Sequence, residues 1–209
     1  MGQSKVLYTI GRGICMPIFK AIYRYKVINK TAIPDDSKGY IIASNHLSYS
    51  DPVLLGLSQK RRINFMAKDE LFKNKFFAWL IRHLGAFPVK RGTGDVKALK
   101  TGEDIIREGN LMTIFIEGGR SKTGELMRPR SGFALIAQQT GVPVVPVCIT
   151  RTKESTFARR IIHYSEPITA EELGLVGEEM DRRALKNAGA TVMGKIKEMR
   201  EQDLKDYAK

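Results

Sequence analysis

The sequence predicts a single α/β domain with a central, largely parallel sheet flanked by helices. Three observations carry that prediction. Short β-rich runs alternate with helical stretches along most of the chain, the order that builds parallel sheets. The runs LMTIFI (111–116) and VVPVCI (144–149) are nearly continuous in apolar residues, as strands buried on both faces require. The length, 209 residues, suits one domain with a sizeable core.

Taken in order, residues 5–26 read KVLYTIGRGICMPIFKAIYRYK. Val6, Leu7, Ile10, Ile14, Ile18 and Ile22 mostly recur three or four apart, with Arg12, Lys20 and Arg24 between them. That mixture predicts an amphipathic helix lying at a bilayer interface. A helix packed on the domain's own core satisfies the same spacing. Gly11, Gly13 and Pro17 are expected to weaken or kink it. Residues 1–27 are therefore assigned to a membrane-associating segment and 28–209 to the main domain. Strands are predicted at 25–29, 39–43, 62–66, 86–89, 111–116, 144–149 and 160–164. Helices are predicted at 51–58, 70–83, 94–108, 131–140 and 178–206, with Gly109-Asn110 and Gly141 as stop signals. The last helix is long, charged and supportive. Pro143 and Pro146 point to an edge or irregular strand at 142–147.

Composition narrows the function classes. The formal net charge is +13, and it is unevenly placed. Residues 1–100 hold 18 Lys and Arg against 6 Asp and Glu, whereas the remainder is close to balance. Such a half fits an acidic partner: anionic lipid, nucleic acid, a phosphorylated substrate or an acidic carrier protein. A merely soluble basic surface is the plain alternative. Cys15 and Cys148 are far apart and in no CxxC or Cys/His cluster, which argues against a disulfide framework or structural zinc. No secretory signal is expected, nor an ordinary transmembrane helix, because no run of about 18 apolar residues occurs. The opening MGQSKV resembles a myristoylation signal, but Val6 stands where Ser or Thr is needed.

Four stretches could carry chemistry. In ASNHLSYSDP (43–52), His46 and Asp51 leave the predicted strand GYIIA together. Histidine takes a proton near neutral pH, and a carboxylate beside it fixes its tautomer and supports the imidazolium. The competing reading makes Asp51 an N-cap followed by Pro52 at the first helical position. No GxSxG elbow is present and neither cysteine has a reactive context. A base here would therefore act on a hydroxyl of the substrate. In FIEGGRSKTG (115–124), the glycines let backbone N–H groups approach a ligand and Arg120 can grip a phosphate, although a plain turn with a surface arginine fits equally. GAFPVKRG (85–92) ends in Lys90-Arg91, and Lys68 and Arg130 also lie near strand ends or helix starts. GVPVVPV (141–147) could line an apolar channel, or be core.

Together and in this order, these blocks resemble the glycerophosphate acyltransferase family, and within it the bacterial 1-acylglycerol-3-phosphate acyltransferases. The pattern NHxxxxD is met by Asn45, His46 and Asp51, and the second block by Gly85 through Arg91. The third, usually Phe-Pro-Glu-Gly-Thr-Arg-Ser, is Phe115-Ile116-Glu117-Gly118-Gly119-Arg120-Ser121 here, with Ile116 for proline and Gly119 for threonine. The fourth is Val142 through Val147. The likeness covers roughly residues 25–165.

The resemblance implies a mechanism. His46 is the general base on the free hydroxyl of a lysophosphatidate, and Asp51 orients it. The alkoxide attacks an acyl thioester directly, without an acyl-enzyme. Arg91, Glu117, Gly118, Gly119, Arg120 and Lys68 hold the phosphate, and Val142, Pro143, Val145 and Pro146 face the acyl chain. No metal or cofactor is called for. The implied partners are a membrane lipid surface, lysophosphatidate, and acyl carrier protein or acyl-CoA as donor. The implied location is the cytoplasmic face of the cell membrane. Glycerol 3-phosphate or another lysophospholipid is an alternative acceptor. From another class, a non-catalytic basic module for membrane or nucleic acid is also open, although no nucleic-acid-binding motif is present and nucleic acid is not expected as a partner.

Overall fold

The seven apolar runs all become strands of one sheet. In the computed structural model the described residues are 5–90, 92, 94–177 and 181–208. Helix α1 (Lys5–Tyr23) leads into β1 (Lys26–Ile28), followed by β2 (Tyr40–Ser44), α2 (Asp51–Ser58) and β3 (Ile63–Lys68). Next come α3 (Lys75–His83), β4 (Ala86–Val89), α4 (Val96–Arg107), β5 (Leu111–Phe115) and α5 (Gly132–Thr140). The chain closes with β6 (Val144–Arg151), β7 (Arg160–Tyr164) and α6 (Arg182–Tyr207).

The strand order is β1-β7-β6-β2-β5-β3-β4. β6, β2, β5, β3 and β4 run parallel, so their carboxyl ends share one edge of the sheet. β7 turns back antiparallel on β6, and β1 follows β7 in parallel. The sheet is thus mixed, with a parallel body, as the alternating sequence predicts.

Period-two alternation splits each central strand between two cores. Ile41 and Met112 join Phe133, Ala137, Leu185 and Val192 on the face covered by α4, α5 and α6. Ile42 and Leu111 join Leu54, Leu55, Val145 and Ile162 on the face covered by α1 and α2. Burying each such side chain fully is worth about 1.5–3 kcal/mol, which is why uniformly apolar strands sit in the middle.

Three boundaries move for local reasons. The predicted helix 70–83 is split into a 3-10 turn at Asp69–Phe72 and α3, because Asn74 caps α3 by accepting from Phe77 N–H at 2.9 Å. α4 begins after its cap Asp95 and α6 after its cap Asp181, later than predicted, and residues 178–180 of the predicted helix lie outside the described residues. α1 runs through Gly11, Gly13 and Pro17 and stops at Tyr23, where Arg24 adopts a φ of 43°.

The expectation of an edge strand at 142–147 does not hold. β6 is interior, paired with β2 on one side and β7 on the other. Its Pro146 is tolerated because a residue's N–H and C=O point to the same side of a strand. The Pro146 carbonyl accepts from Ser165 N–H at 2.9 Å, so the missing donor faces the place where the β6–β7 ladder has not yet begun.

Candidate active site

β2 and β5 run side by side in register, Ser44 beside Phe115, so the loops that follow them leave the carboxyl edge together. Open α/β sheets bind ligands at this edge. Asn45 anchors the first loop: its amide nitrogen donates to Ile149 O at 3.0 Å, and its oxygen accepts from Ile149 N–H at 2.8 Å. His46 follows, buried, with Nδ1 2.8 Å from Asp51 Oδ2. That oxygen also accepts from Leu47 N–H at 2.6 Å and Ser48 N–H at 2.7 Å, and Oδ1 accepts from the Ser48 hydroxyl at 3.2 Å.

Asp51 is not the N-cap of α2. The cap position of α2 is Ser50, which makes no side-chain capping bond, and Asp51 is the first helical residue ahead of Pro52. A capping carboxylate would accept from the helix ahead of it. Asp51 instead turns back to gather the donors of its own loop. With Nδ1–H donated to Asp51, the lone pair of His46 lies on Nε2. The imidazole stacks on Phe115, ring centroids 3.9 Å apart and planes 15° from parallel.

The second loop braces the first. Ile116 N–H donates to Ser44 O at 3.0 Å, and Ser121 N–H donates to His46 O at 2.8 Å. Glu117 joins them: Oε2 accepts from His46 N–H at 2.9 Å and Oε1 from Met127 N–H at 2.8 Å. Burial raises the Glu117 carboxyl above its usual range, and the two N–H donors pull the other way. Gly118 is required here. Its φ is 70°, and an added Cβ would lie 2.3 Å from Arg130 Nε. Gly119 has open space around it. Arg120 is exposed, its guanidinium carbon 3.5 Å from the centroid of the Tyr49 ring, so it stands over the loop that carries His46.

Beside this pair of loops lies a cavity of about 640 Å³. Lys90, Arg130, Arg182 and Lys186 supply its positive charge, and Gly118 forms part of its rim. Phe115, Ile114, Leu99 and Leu185 are among its apolar lining residues. Phe115 therefore links the cavity to the imidazole. Arg182 and Lys186 come from the start of α6, which no local pattern places here, and Tyr49 was hidden among the variable positions of its motif. Their only signal in the sequence is residue type.

The sequence-predicted residues thus separate into groups. His46, Asp51, Glu117, Gly118, Gly119 and Arg120 converge. Arg91 lies outside the described residues. Lys68 ends β3 and pairs with Glu70 at 2.6 Å rather than lining the cavity. Glu117 is placed as a brace: both its oxygens hold backbone N–H groups, and a carboxylate repels a phosphate. Val142, Pro143, Val145 and Pro146 are not at the site. They lie at the amino end of β6 or just before it, where Pro143 O accepts from Ile41 N–H, and Val145 is fully buried in the core.

Comparison with known proteins gives the family. A family model described as Acyltransferase matches residues 24–150, a span that includes both loops. The chain is 28% identical over 182 residues to a Streptococcus pneumoniae protein named 1-acyl-sn-glycerol-3-phosphate acyltransferase, covering 84% of this chain and 68% of that one. A Bacillus subtilis protein of the same name is 37% identical over 122 residues, 58% of this chain and 60% of the relative. The fold resembles the crystal structure of the 1-acyl-sn-glycerophosphate (LPA) acyltransferase PlsC from Thermotoga maritima, with TM-score 0.63, 23% identity and coverage of 90% of this chain and 80% of that one. The family match takes in well over half of the sequence, together with the His46 loop and the turn that braces it, and so the chain belongs to the acyltransferase family.

Proposed function

We propose that the protein transfers a fatty acyl group from an acyl thioester to the free hydroxyl of 1-acylglycerol 3-phosphate, forming phosphatidic acid. The observation that carries this reading is the His46–Asp51 pair at the carboxyl edge with no enzyme nucleophile bonded to it among the described residues. The nearby serine hydroxyls go elsewhere: Ser48 to Asp51 and Ser44 to the Asn45 carbonyl. Cys148 is fully buried, and desolvation pushes its thiol up to about 12. Two relatives bear the name of this activity.

In this mechanism His46 Nε2 takes the proton of the acceptor hydroxyl as its oxygen bonds to the thioester carbonyl carbon. Asp51 stabilises the imidazolium that results. The tetrahedral intermediate then expels the thiolate, whose conjugate acid has a pKa of roughly 8.5 and so needs little help from a general acid. General-base catalysis of this kind is worth roughly 10²–10⁴ in rate. The cavity suits an amphipathic anion: its cations would hold the phosphate and its apolar wall an acyl chain, which favours an acylated acceptor over glycerol 3-phosphate. Arg120 would meet the phosphate from the other loop.

The donor is acyl carrier protein or acyl-CoA, either of which presents the same reactive bond. The acceptor resides in a bilayer, and the exposed apolar residues of α1 fit attachment at the cytoplasmic face of the cell membrane. Among the described residues no helix is long and apolar enough to cross a membrane. The test is a panel of lysolipids and glycerol 3-phosphate, each offered with acyl carrier protein and CoA thioesters, with products identified by mass spectrometry. Phosphatidate from lysophosphatidate is the expected product. No acylated product from any acceptor would overturn the reading.

A further inference from the structure

α3 has its apolar face on the wrong side for a helix that only supports a fold. Among its side chains only Ala78 is buried. At 100° per residue, Phe76, Trp79 and His83 share the opposite, outward face. They form one continuous stripe: the Phe76 and Trp79 rings are 6.3 Å apart and those of Trp79 and His83 are 4.6 Å apart. Phe76 is 73% exposed and Trp79 49% exposed, with Phe77 exposed beside them.

The carboxyl end of α3 lies against α1. A Cβ on Gly11 of α1 would touch Leu84 Cδ2, just past the end of α3, at 3.6 Å. Arg62 joins the two helices, with its guanidinium 5.1 Å from the Tyr8 ring centroid while it donates to the His83 carbonyl. On α1 the residues Val6, Ile10, Ile14, Ile18 and Ile22 are exposed. Charge singles out the occupant. Residues 1–34 contain six Lys and Arg and no Asp or Glu, and residues 71–94 contain five and none. Aromatic rings with flanking cations match the headgroup level of an anionic bilayer.

We propose that α3 is a second lipid-docking element, beside α1, so that the protein rests on an anionic bilayer on two helices. This rests on the reading that the acceptor is a membrane lipid. Trp79 is the single tryptophan of the chain, so its fluorescence reports α3 alone. Adding mixed phosphatidylcholine–phosphatidylglycerol vesicles to the full chain is expected to blue-shift its emission and to let brominated acyl chains quench it. High salt is expected to weaken both effects. The Phe76→Ser/Phe77→Ser variant keeps Trp79 and alters only exposed positions. It is expected to weaken vesicle binding in flotation about tenfold, while turnover of a water-soluble short-chain lysophosphatidate stays at the wild-type level. The proposal is overturned if the variant floats like wild type, if Trp79 emission is unchanged on vesicles that carry the protein, or if the wild type does not bind them. Absence of transfer to the soluble acceptor would instead sink the enzymatic reading, and the vesicle measurements decide the role of α3 without it.

Discussion

Among the described residues are two His–Asp pairs of nearly equal geometry. His46 Nδ1 lies 2.8 Å from Asp51 and His163 Nδ1 lies 2.9 Å from Asp203, and both carboxylates are fully buried. Their surroundings differ. Asp51 draws its other donors from its own loop at the carboxyl edge, beside a cationic cavity. Asp203 sits on α6 and accepts from the Thr150 hydroxyl of β6 at 2.6 Å, while His163 belongs to β7, so this pair clamps the last helix to the sheet. A short His–Asp distance therefore does not mark a base. On the proposed reading, what distinguishes His46 is its place at the carboxyl edge beside the cavity lined by Lys90, Arg130, Arg182 and Lys186, where a substrate hydroxyl would arrive.

The largest test of that contrast is His46→Ala. It is expected to lower kcat by roughly 10²–10⁴ while the far-ultraviolet circular dichroism spectrum is unchanged. Transfer at the wild-type rate would break the assignment. Asp51→Asn keeps the shape but removes the charge that orients the ring, and kcat is expected to fall roughly 10²-fold. Arg130→Ala removes a cation from the cavity, and an increase of about tenfold in the KM for lysophosphatidate is expected, since a charge-assisted hydrogen bond is worth about 1.5–3 kcal/mol and water replaces part of it. The smallest effect on activity belongs to the second pair. His163→Ala is expected to leave kcat within about twofold and to cost about 1–3 kcal/mol of stability by stranding Asp203, read as a fall of several degrees in Tm. Loss of transfer in a folded His163→Ala protein would erase the distinction between the pairs.

The contrast also explains what could be read from the sequence. His46 and Asp51 are five residues apart in one loop, so a local motif captured them. The central strands β2 and β6 were legible because burial on both faces leaves largely apolar runs. His163 and Asp203 are 40 residues apart on different elements, and nothing local announces their meeting. The same holds for Arg182 and Lys186, which reach the cavity only because α6 starts at the carboxyl edge. The bracing bonds of Glu117 were not legible, because its partners are backbone N–H groups that carry no sequence signature. The place of the 142–146 stretch was not legible, because it follows from the parallel register of β6 on β2, which sets Val144 beside Ile41 and Pro146 beside Ala43.

One contact joins the two ends of the proposed work. Arg12 of α1 donates to the Gly56, Leu57 and Gln59 carbonyls at the end of α2, where the helix dipole favours a cation. Asp51 stands at the other end of the same eight-residue helix. At 1.5 Å per residue that rod is about 12 Å long. If α1 lies in the headgroup layer as proposed, α2 would act as a depth gauge, setting how far a lysolipid must rise from the bilayer before its hydroxyl meets the imidazole. Lengthening it by one turn would move the reaction plane without touching a single reacting group.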